Sequence, residues 1–352
     1  MSKKVCLLTD SLGSGGAEKM VANLSKSLTS KGYDITIVSM IDRIVYDFEG
    51  TLYNFGKIKN SLSRFKAFKT LQKFFKHQDF DVILDHRIRD KWIKEFLFLK
   101  FVFNKNRFIY CVHHYDLSMY FPLVSFPFLS KLTLVKQREI IAVSQIVKKE
   151  IVKRLSLDSK VIYNYPVIDN RNEEPEFGFE YIIAIGRLEK IKQFDILINC
   201  YKASKLLDNG IKLLIFGEGS ERNNLQNLIV KLNLESHVFL KGFSTEINTY
   251  IKNAKALVMT SKSEGFPMVL IEANQLNTPV IAFDCKSGPS EIIQHGRNGW
   301  LIKNQDKSKM VKALNALVDD TEYSKLQDNL RDYDSPFTEE KIIAQWINLI
   351  NS

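Results

Sequence analysis

The sequence predicts an α/β protein made of two consecutive parallel-sheet domains. Three observations carry that prediction. The chain has 352 residues, more than a single hydrophobic core usually serves. Short apolar runs alternate with longer segments of helical period throughout, the pattern of β-α units. The alternation stops near the middle, in an acidic, proline-bearing stretch from Asn170 to Gly178 (NRNEEPEFG), and then starts again.

In the first half the strand candidates are KVCLLTD, DITIVSM, DVILDH, RFIYCVHH, EIIAVS and KVIYNYP. The opening residues, MSKKVCLLTD, carry a lysine pair before a short apolar run. That run is broken by Thr9 and Asp10, so it reads as a first strand and not as a signal peptide. Between the first two strands, Met20, Val21, Leu24 and Leu28 fall at helical spacing, and Gly32 marks the helix stop. In the second half the strand candidates are EYIIAIG, IKLLIFG, HVFLKG, KALVMTS and PVIAFD. The tail, SPFTEEKIIAQWINLINS, is an amphipathic helix. The expected boundaries are residues 1–170 and 171–336, followed by the tail at 337–352.

Composition excludes several classes. Apolar residues make up 45 % and charged residues 26 %, an ordinary globular balance. No stretch approaches the roughly 20 apolar residues needed to span a bilayer. The four cysteines, Cys6, Cys111, Cys200 and Cys285, are far apart and form no C-x-x-C pair. They suit small buried hydrophobes in a reducing compartment, and a cytoplasmic location is expected. Net charge is +10. The first 170 residues hold 28 Lys and Arg against 16 Asp and Glu, and the remainder 22 against 24. The basicity therefore belongs to the first half, which is built to meet something anionic.

The segment EGFPMVLIEANQLNTPV, Glu264 to Val280, carries the most chemistry. It follows the strand KALVMTS, so Glu264 and Gly265 sit at the strand's carboxyl end, where open α/β sheets bind ligands. Pro267 suits a first helical turn. The amides of Phe266, Met268 and Val269 then face a place that favours phosphate. Glu264 and Glu272 are two acceptor-only carboxylates about two turns apart, suited to the hydroxyls of a sugar and a ribose. One Asp-x-Asp is present, Asp79-Phe80-Asp81. It precedes its strand, at the wrong end of the sheet for a ligand, and no metal is expected.

The frame EGFPMVLIEA, with Glu264-x7-Glu272, resembles the donor site of retaining GT-B glycosyltransferases of family 4 (group 1). Other segments resemble the same family in the same order: SGGAEKM at Ser14 to Met20, GRLEKIKQFDILI at Gly186 to Ile198, LIFGEGSERNNL, VFLKGF and SGPSEIIQHGRNGWLI. The resemblance spans nearly the whole chain, dense after Tyr181 and thin from Ile44 to Asn104.

It implies two Rossmann-like β/α/β domains facing a central cleft, an acceptor-binding first domain and a nucleotide-sugar-binding second, with the tail helix at 337–352, around Trp346, crossing back to the first. It implies a sugar transferred from a nucleotide-sugar with retention, giving an α-glycoside, without a metal or other cofactor. Gly15 and Gly16 then lie against the donor diphosphate, where bare backbone approaches phosphate closely. Arg187 and Lys192 are the cations that neutralise the leaving diphosphate. Glu264 holds the donor sugar and Glu272 the ribose. His113, ending RFIYCV, is the counterpart of the family's active-site histidine, although the pair His113-His114 leaves the frame open by one residue. Ser144 and Asn164 match positions near the cleft. The donor base is open, with a UDP-hexose or UDP-N-acetylhexosamine as the default.

The basic half bears on the acceptor. From Lys57 to Lys76 the apolar residues Leu62, Phe65, Phe68, Leu71, Phe74 and Phe75 repeat at helical spacing among lysines. That pattern fits a helix lying on an anionic membrane. The expected acceptor is a glycan or a polyprenyl-diphosphate-linked sugar, reached from the inner face of the membrane. A sugar epimerase or phosphorylase on the same fold is the rival enzyme reading. A nucleic-acid binder is the other, and the absence of a recognisable module argues against it.

Overall fold

Buried parallel strands read as near-continuous apolar runs because helices cover both faces of their sheet, and most of the runs above pair in that way. The computed structural model describes residues 2–13, 15–103, 107–136, 138–168, 178–244 and 246–352. Ser14 and nearly all of the segment read as a linker lie outside them. The chain divides into two units, Met1–Pro166 with Phe337–Ser352, and Val167–Pro336.

The first unit runs β1 (Lys4–Thr9), α1 (Gly16–Ser30), β2 (Asp34–Ser39), β3 (Thr51–Asn54), α2 (Phe55–Asn60), α3 (Arg64–His77), β4 (Val82–Asp85), α4 (Trp92–Phe101), β5 (Arg107–Val112), α5 (Pro127–Lys131), β6 (Arg138–Ala142), α6 (Gln145–Leu155) and β7 (Lys160–Val161). Its sheet has the order β3-β2-β1-β4-β5-β6-β7, and every pairing is parallel. The strand order reverses between β1 and β4, so their carboxyl ends border the crevice where such sheets take ligands.

The second unit runs β8 (Tyr181–Ile185), α7 (Phe194–Lys202), β9 (Lys212–Phe216), α8 (Arg222–Lys231), β10 (Val238–Gly242), α9 (Ile247–Lys252), β11 (Leu257–Met259), α10 (Met268–Gln275), β12 (Val280–Asp284), α11 (Pro289–Ile292), β13 (Gly299–Lys303), α12 (Lys307–Ala316) and α13 (Asp320–Arg331). The sheet order is β10-β9-β8-β11-β12-β13, with the switch between β8 and β11. Its core is built from Ile182, Ala184, Leu213, Ile215, Val258 and Ile281 of the strands, closed by Leu197, Tyr201 and Leu314 of the helices.

The last helix, α14 (Glu339–Asn351), belongs to the first unit. It buries Ile342, Ile343, Trp346 and Ile350 there. Polar contacts fasten it: Ser27 Oγ donates to Glu339 Oε1 at 2.6 Å, and Lys3 Nζ to the Ile350 carbonyl at 3.0 Å.

Three features differ from the sequence reading. Strands β3 and β13 are additional, both short edge strands with partly exposed residues. The stretch from Lys57 to Lys76 is two helices, broken at Ser61–Ser63, and its apolar stripe turns mostly inward. Ala67, Leu71 and Phe75 are buried, and Phe74 stacks on Tyr53 at 3.7 Å between ring centroids. Of that stripe Phe65 alone is largely exposed. Pro267 is the residue before α10 and not within its first turn. No helix among the described residues is long and apolar enough to cross a membrane.

Candidate functional site

In the second unit the loops leaving β8, β9, β11 and β12 meet at the carboxyl ends of the strands. The β8 loop carries Gly186 and Arg187 and closes in a one-turn 3₁₀ helix, Lys190–Lys192. Bare backbone packs it against the β9 loop. A Cβ on Gly217, whose φ is +135°, would stand 1.9 Å from the Gly186 carbonyl oxygen, and one on Gly219 would stand 2.3 Å from that of Leu188. Contact this close permits only glycine. Leu188 N donates to the Glu218 carbonyl at 2.9 Å, and Ser220 Oγ to Glu189 at 2.9 Å, which fixes the pair of loops.

Within that frame Lys192 reaches Glu264. The two side chains form an ion pair with Nζ 2.6 Å from Oε1, both only partly exposed. The lysine stem lies on Gly186, 3.3 Å from where a Cβ would be. The Glu264 loop is held in turn by the segment after β12. Glu264 N donates to the Lys286 carbonyl and Ser287 N to the Glu264 carbonyl, at 2.8 and 3.0 Å. Ser287 Oγ donates to the Gly265 carbonyl at 2.6 Å. Gly288, at φ +100°, leaves room for Pro267, whose Cδ is 2.5 Å from the missing Cβ position.

Helix α10 starts directly beyond. The first amides of a helix lack intrahelical acceptors, so those of Met268 and Val269 are available to an anion. The side chains of Phe266 and Met268 are buried, and so is Glu272. Arg187 is exposed at the turn after β8. Burial, with the Glu264 charge second, pushes the Cys285 thiol up to about 12, so no thiolate nucleophile stands beside Glu264.

This arrangement joins a cation, a carboxylate and a helix start at a strand-order switch, and it can hold a phosphorylated, hydroxyl-bearing ligand. The sequence reading supplied Arg187, Lys192, Glu264, Gly265 and Glu272. It missed Ser287, and the S-G-P spacing after β12 is the signal that could have shown it.

In the first unit, Gly15 caps α1 and donates its N–H to Glu18 Oε2 at 2.7 Å, while Ser11 Oγ donates to the other oxygen of Glu18. That amide is thus engaged by the protein itself, and Gly16 is the first residue of the helix.

His113 and His114 separate cleanly. His113 follows β5, is buried, and its Nε2 lies 2.9 Å from Nδ1 of buried His86, which follows β4. The His114 ring instead accepts from Asp116 N at 3.0 Å and stacks on Tyr115. His86 Nε2 and His113 Nδ1 are buried with no hydrogen-bond partner among the described residues. Ser144 caps α6, its Oγ accepting from Val147 N at 3.2 Å, and Asn164 is buried.

Burial lowers both histidines, His86 to about 3, and for His113 the His86 charge adds to burial. The unfolded chain therefore binds protons that the folded one refuses between about 3 and 6.5. Stability carried by neutral His86 is fully present above about 6.5 and is lost as pH falls. The thermal midpoint is expected to drop on going from pH 7.5 to 5.5, and to drop less in His86→Asn. An equal drop in both proteins would sink this assignment.

Comparison with known proteins places the fold and family. The family description "Glycosyltransferase Family 4" matches residues 14–169, and "Glycosyl transferases group 1" matches residues 168–334. The amylovoran biosynthesis glycosyltransferase AmsD of Erwinia amylovora is 27 % identical over 361 residues, covering 99 % of each chain. A diphospho-undecaprenol 4-alpha-N-acetylgalactosaminyltransferase of Campylobacter jejuni is 28 % identical and covers 93 % of each. Among solved structures, HepE of Anabaena in complex with UDP-glucose superposes with a TM-score of 0.76 at 18 % identity, over 99 % of both chains. TarM superposes with a TM-score of 0.71 at 20 % identity, over 100 % of this chain and 99 % of that one. Two family descriptions that tile residues 14–334 in order, on two doubly wound sheets, mean that this chain belongs to the group 1, family 4 glycosyltransferases of the GT-B fold.

Proposed function

We propose that this glycosyltransferase moves a hexose or N-acetylhexosamine from UDP, with retention and without a metal, onto a lipid-linked or polysaccharide acceptor in surface-glycan assembly. The observation that carries this reading is the 2.6 Å contact between Lys192 and Glu264 beside the start of α10. In that contact the lysine charge is matched by the carboxylate. A diphosphate arriving at the α10 amides draws Lys192 to itself, since a dianion is the stronger partner. That frees Glu264 to accept hydrogen bonds from the sugar hydroxyls.

The bond from the anomeric carbon to the diphosphate oxygen then breaks. The acceptor oxygen bonds to the same carbon on the same face, and its proton passes to the departing phosphate. Lys192, Arg187 and the amides of Met268 and Val269 carry the charge that develops there. Glu272 is assigned to the ribose, the Gly16 amide to the diphosphate, and His113 to the donor sugar.

Support for a UDP donor comes from HepE, solved with UDP-glucose, and for a lipid-linked acceptor from the diphospho-undecaprenol enzyme. The basic first half is the surface assigned to an anionic membrane, at its inner face.

A ligand that binds only the native state raises its melting temperature. In a thermal-shift panel of UDP, GDP, ADP and their sugars, UDP is expected to raise the midpoint most, with EDTA changing nothing. No response to any nucleotide would remove the donor-site reading. A response abolished by EDTA would remove the metal-free mechanism.

A further inference from the structure

Away from the strand ends discussed above, the first unit carries an apolar groove of about 1000 Å³ between α3, α4 and the segment after Tyr120. That volume lies at the upper end of the roughly 300–1,000 Å³ typical of small-ligand sites. Phe68, Trp92, Leu97 and Leu123 line it, and the cations Arg64, Lys91 and Lys94 stand among them. Ile93, which also lines it, is 70 % exposed, and Phe126 and Phe128, which follow Leu123 in the chain, are 62 % and 75 % exposed. Large exposed apolar patches mark contacts made in function.

Two structural facts show that the groove is built and held. Glu95 of α4 is locked from beneath by Arg87 and Arg89, at 3.1 and 3.2 Å. The Trp92 indole N–H donates to the Leu129 carbonyl at 2.8 Å, tying the 123–132 segment to the same helix. These contacts fix α4 and the 123–132 segment, which between them supply most of the groove's lining.

Its charge is one-sided. Neither Arg64 nor Lys91 makes an ion pair among the described residues. Lys94 lies 3.6 Å from Glu95, whose charge is already matched by two buried arginines.

We infer that this groove binds a single extended hydrocarbon chain attached to a phosphate-bearing head, with the chain along Phe68, Trp92 and Leu97 and the phosphate at Lys91, Lys94 and Arg64. This rests on the reading of the chain as a transferase with a lipid-linked acceptor, and it names where that lipid is held. A walled groove suits one chain, whereas a bilayer surface calls only for a projecting face.

Trp92 is a built-in reporter. Farnesyl diphosphate added to the full-length protein is expected to shift tryptophan fluorescence saturably, and Trp92→Phe removes the shift. Leu97→Asp and the pair Lys91→Glu with Lys94→Glu are each expected to weaken binding by about tenfold or more, with the salt dependence reduced in the charge pair. Lys73→Glu, on α3 outside the groove, should bind as wild type does. A response to phosphatidylglycerol vesicles but not to farnesyl diphosphate would overturn the site in favour of bilayer contact. No response to either, or an equal response in all variants, would also overturn it. The UDP thermal shift, run on the same proteins, separates the two claims. A groove that fails while UDP still binds leaves the transferase reading intact, and a wild type that ignores UDP fails that reading whatever the groove does.

Discussion

Lys192→Ala is expected to lower kcat/KM by about 10²–10³-fold, the range seen when one preorganised charge-stabilising group is removed. Two effects act together. The cation that neutralises the leaving diphosphate is gone, and Glu264, formerly paired at 2.6 Å, is left as an unmatched negative charge where the diphosphate must sit. UDP binding should weaken with the rate. Glu264→Gln is expected to behave differently. The rate falls, because the sugar's acceptor is altered, yet UDP binds as tightly as before or tighter, since Lys192 no longer has a rival anion. The contrast in UDP affinity separates this arrangement from a merely structural ion pair, whose loss from either side would weaken the fold and binding alike. If Lys192→Ala kept wild-type UDP affinity, the assignment of Lys192 to the diphosphate would be wrong. Lys192→Arg is not expected to rescue, because the stem rests on the bare backbone of Gly186 and a planar fork needs more room.

The β-α order was legible because strands buried on both faces leave apolar runs that only helices interrupt, as in VCLL of β1 and IIAI of β8. Strand β3 was not, since TLYN is a half-exposed edge of four residues, and GWLIK of β13 read only as part of a longer motif. On the site, Glu264 and Lys192 could be named from their strand-end positions. Their direct contact could not, because 72 residues separate them and only the adjacency of β8 and β11 brings them together.

The His86–His113 contact was hidden for the same reason, being made by neighbouring strands β4 and β5. The inward turn of the α3 stripe was hidden too: a helix facing its own core and one facing a membrane carry the same periodicity. What distinguishes them is what lies beneath, here Tyr53, Phe80 and Phe98.

The least legible feature is the charge network under α4, written in the sequence as the ordinary-looking loop DHRIRD. Arg87 donates to both oxygens of Asp85 at 2.9 Å and to Glu95 at 3.1 Å, while Arg89 joins Glu95 at 3.2 Å and approaches Asp85 to 3.7 Å. Arg89 also donates to the Thr133 carbonyl at 2.8 Å, and all four side chains are almost wholly buried. Opening such a network from one side strands charge where water cannot reach it. Arg87→Met, which removes the guanidinium that lies 5.5 Å from the ring centres of Phe98 and Phe103, is expected to destabilise the first unit by about 3–5 kcal/mol. Fluorescence from Trp92 and Trp346 reads that loss by urea unfolding.

Adding Glu95→Gln to Arg87→Met should recover part of the loss, because it removes the stranded charge. A loss made worse by Glu95→Gln would mean that Arg87 acts by packing alone. In that case α4, and the groove it walls, is held by its phenylalanines and not by its buried charges.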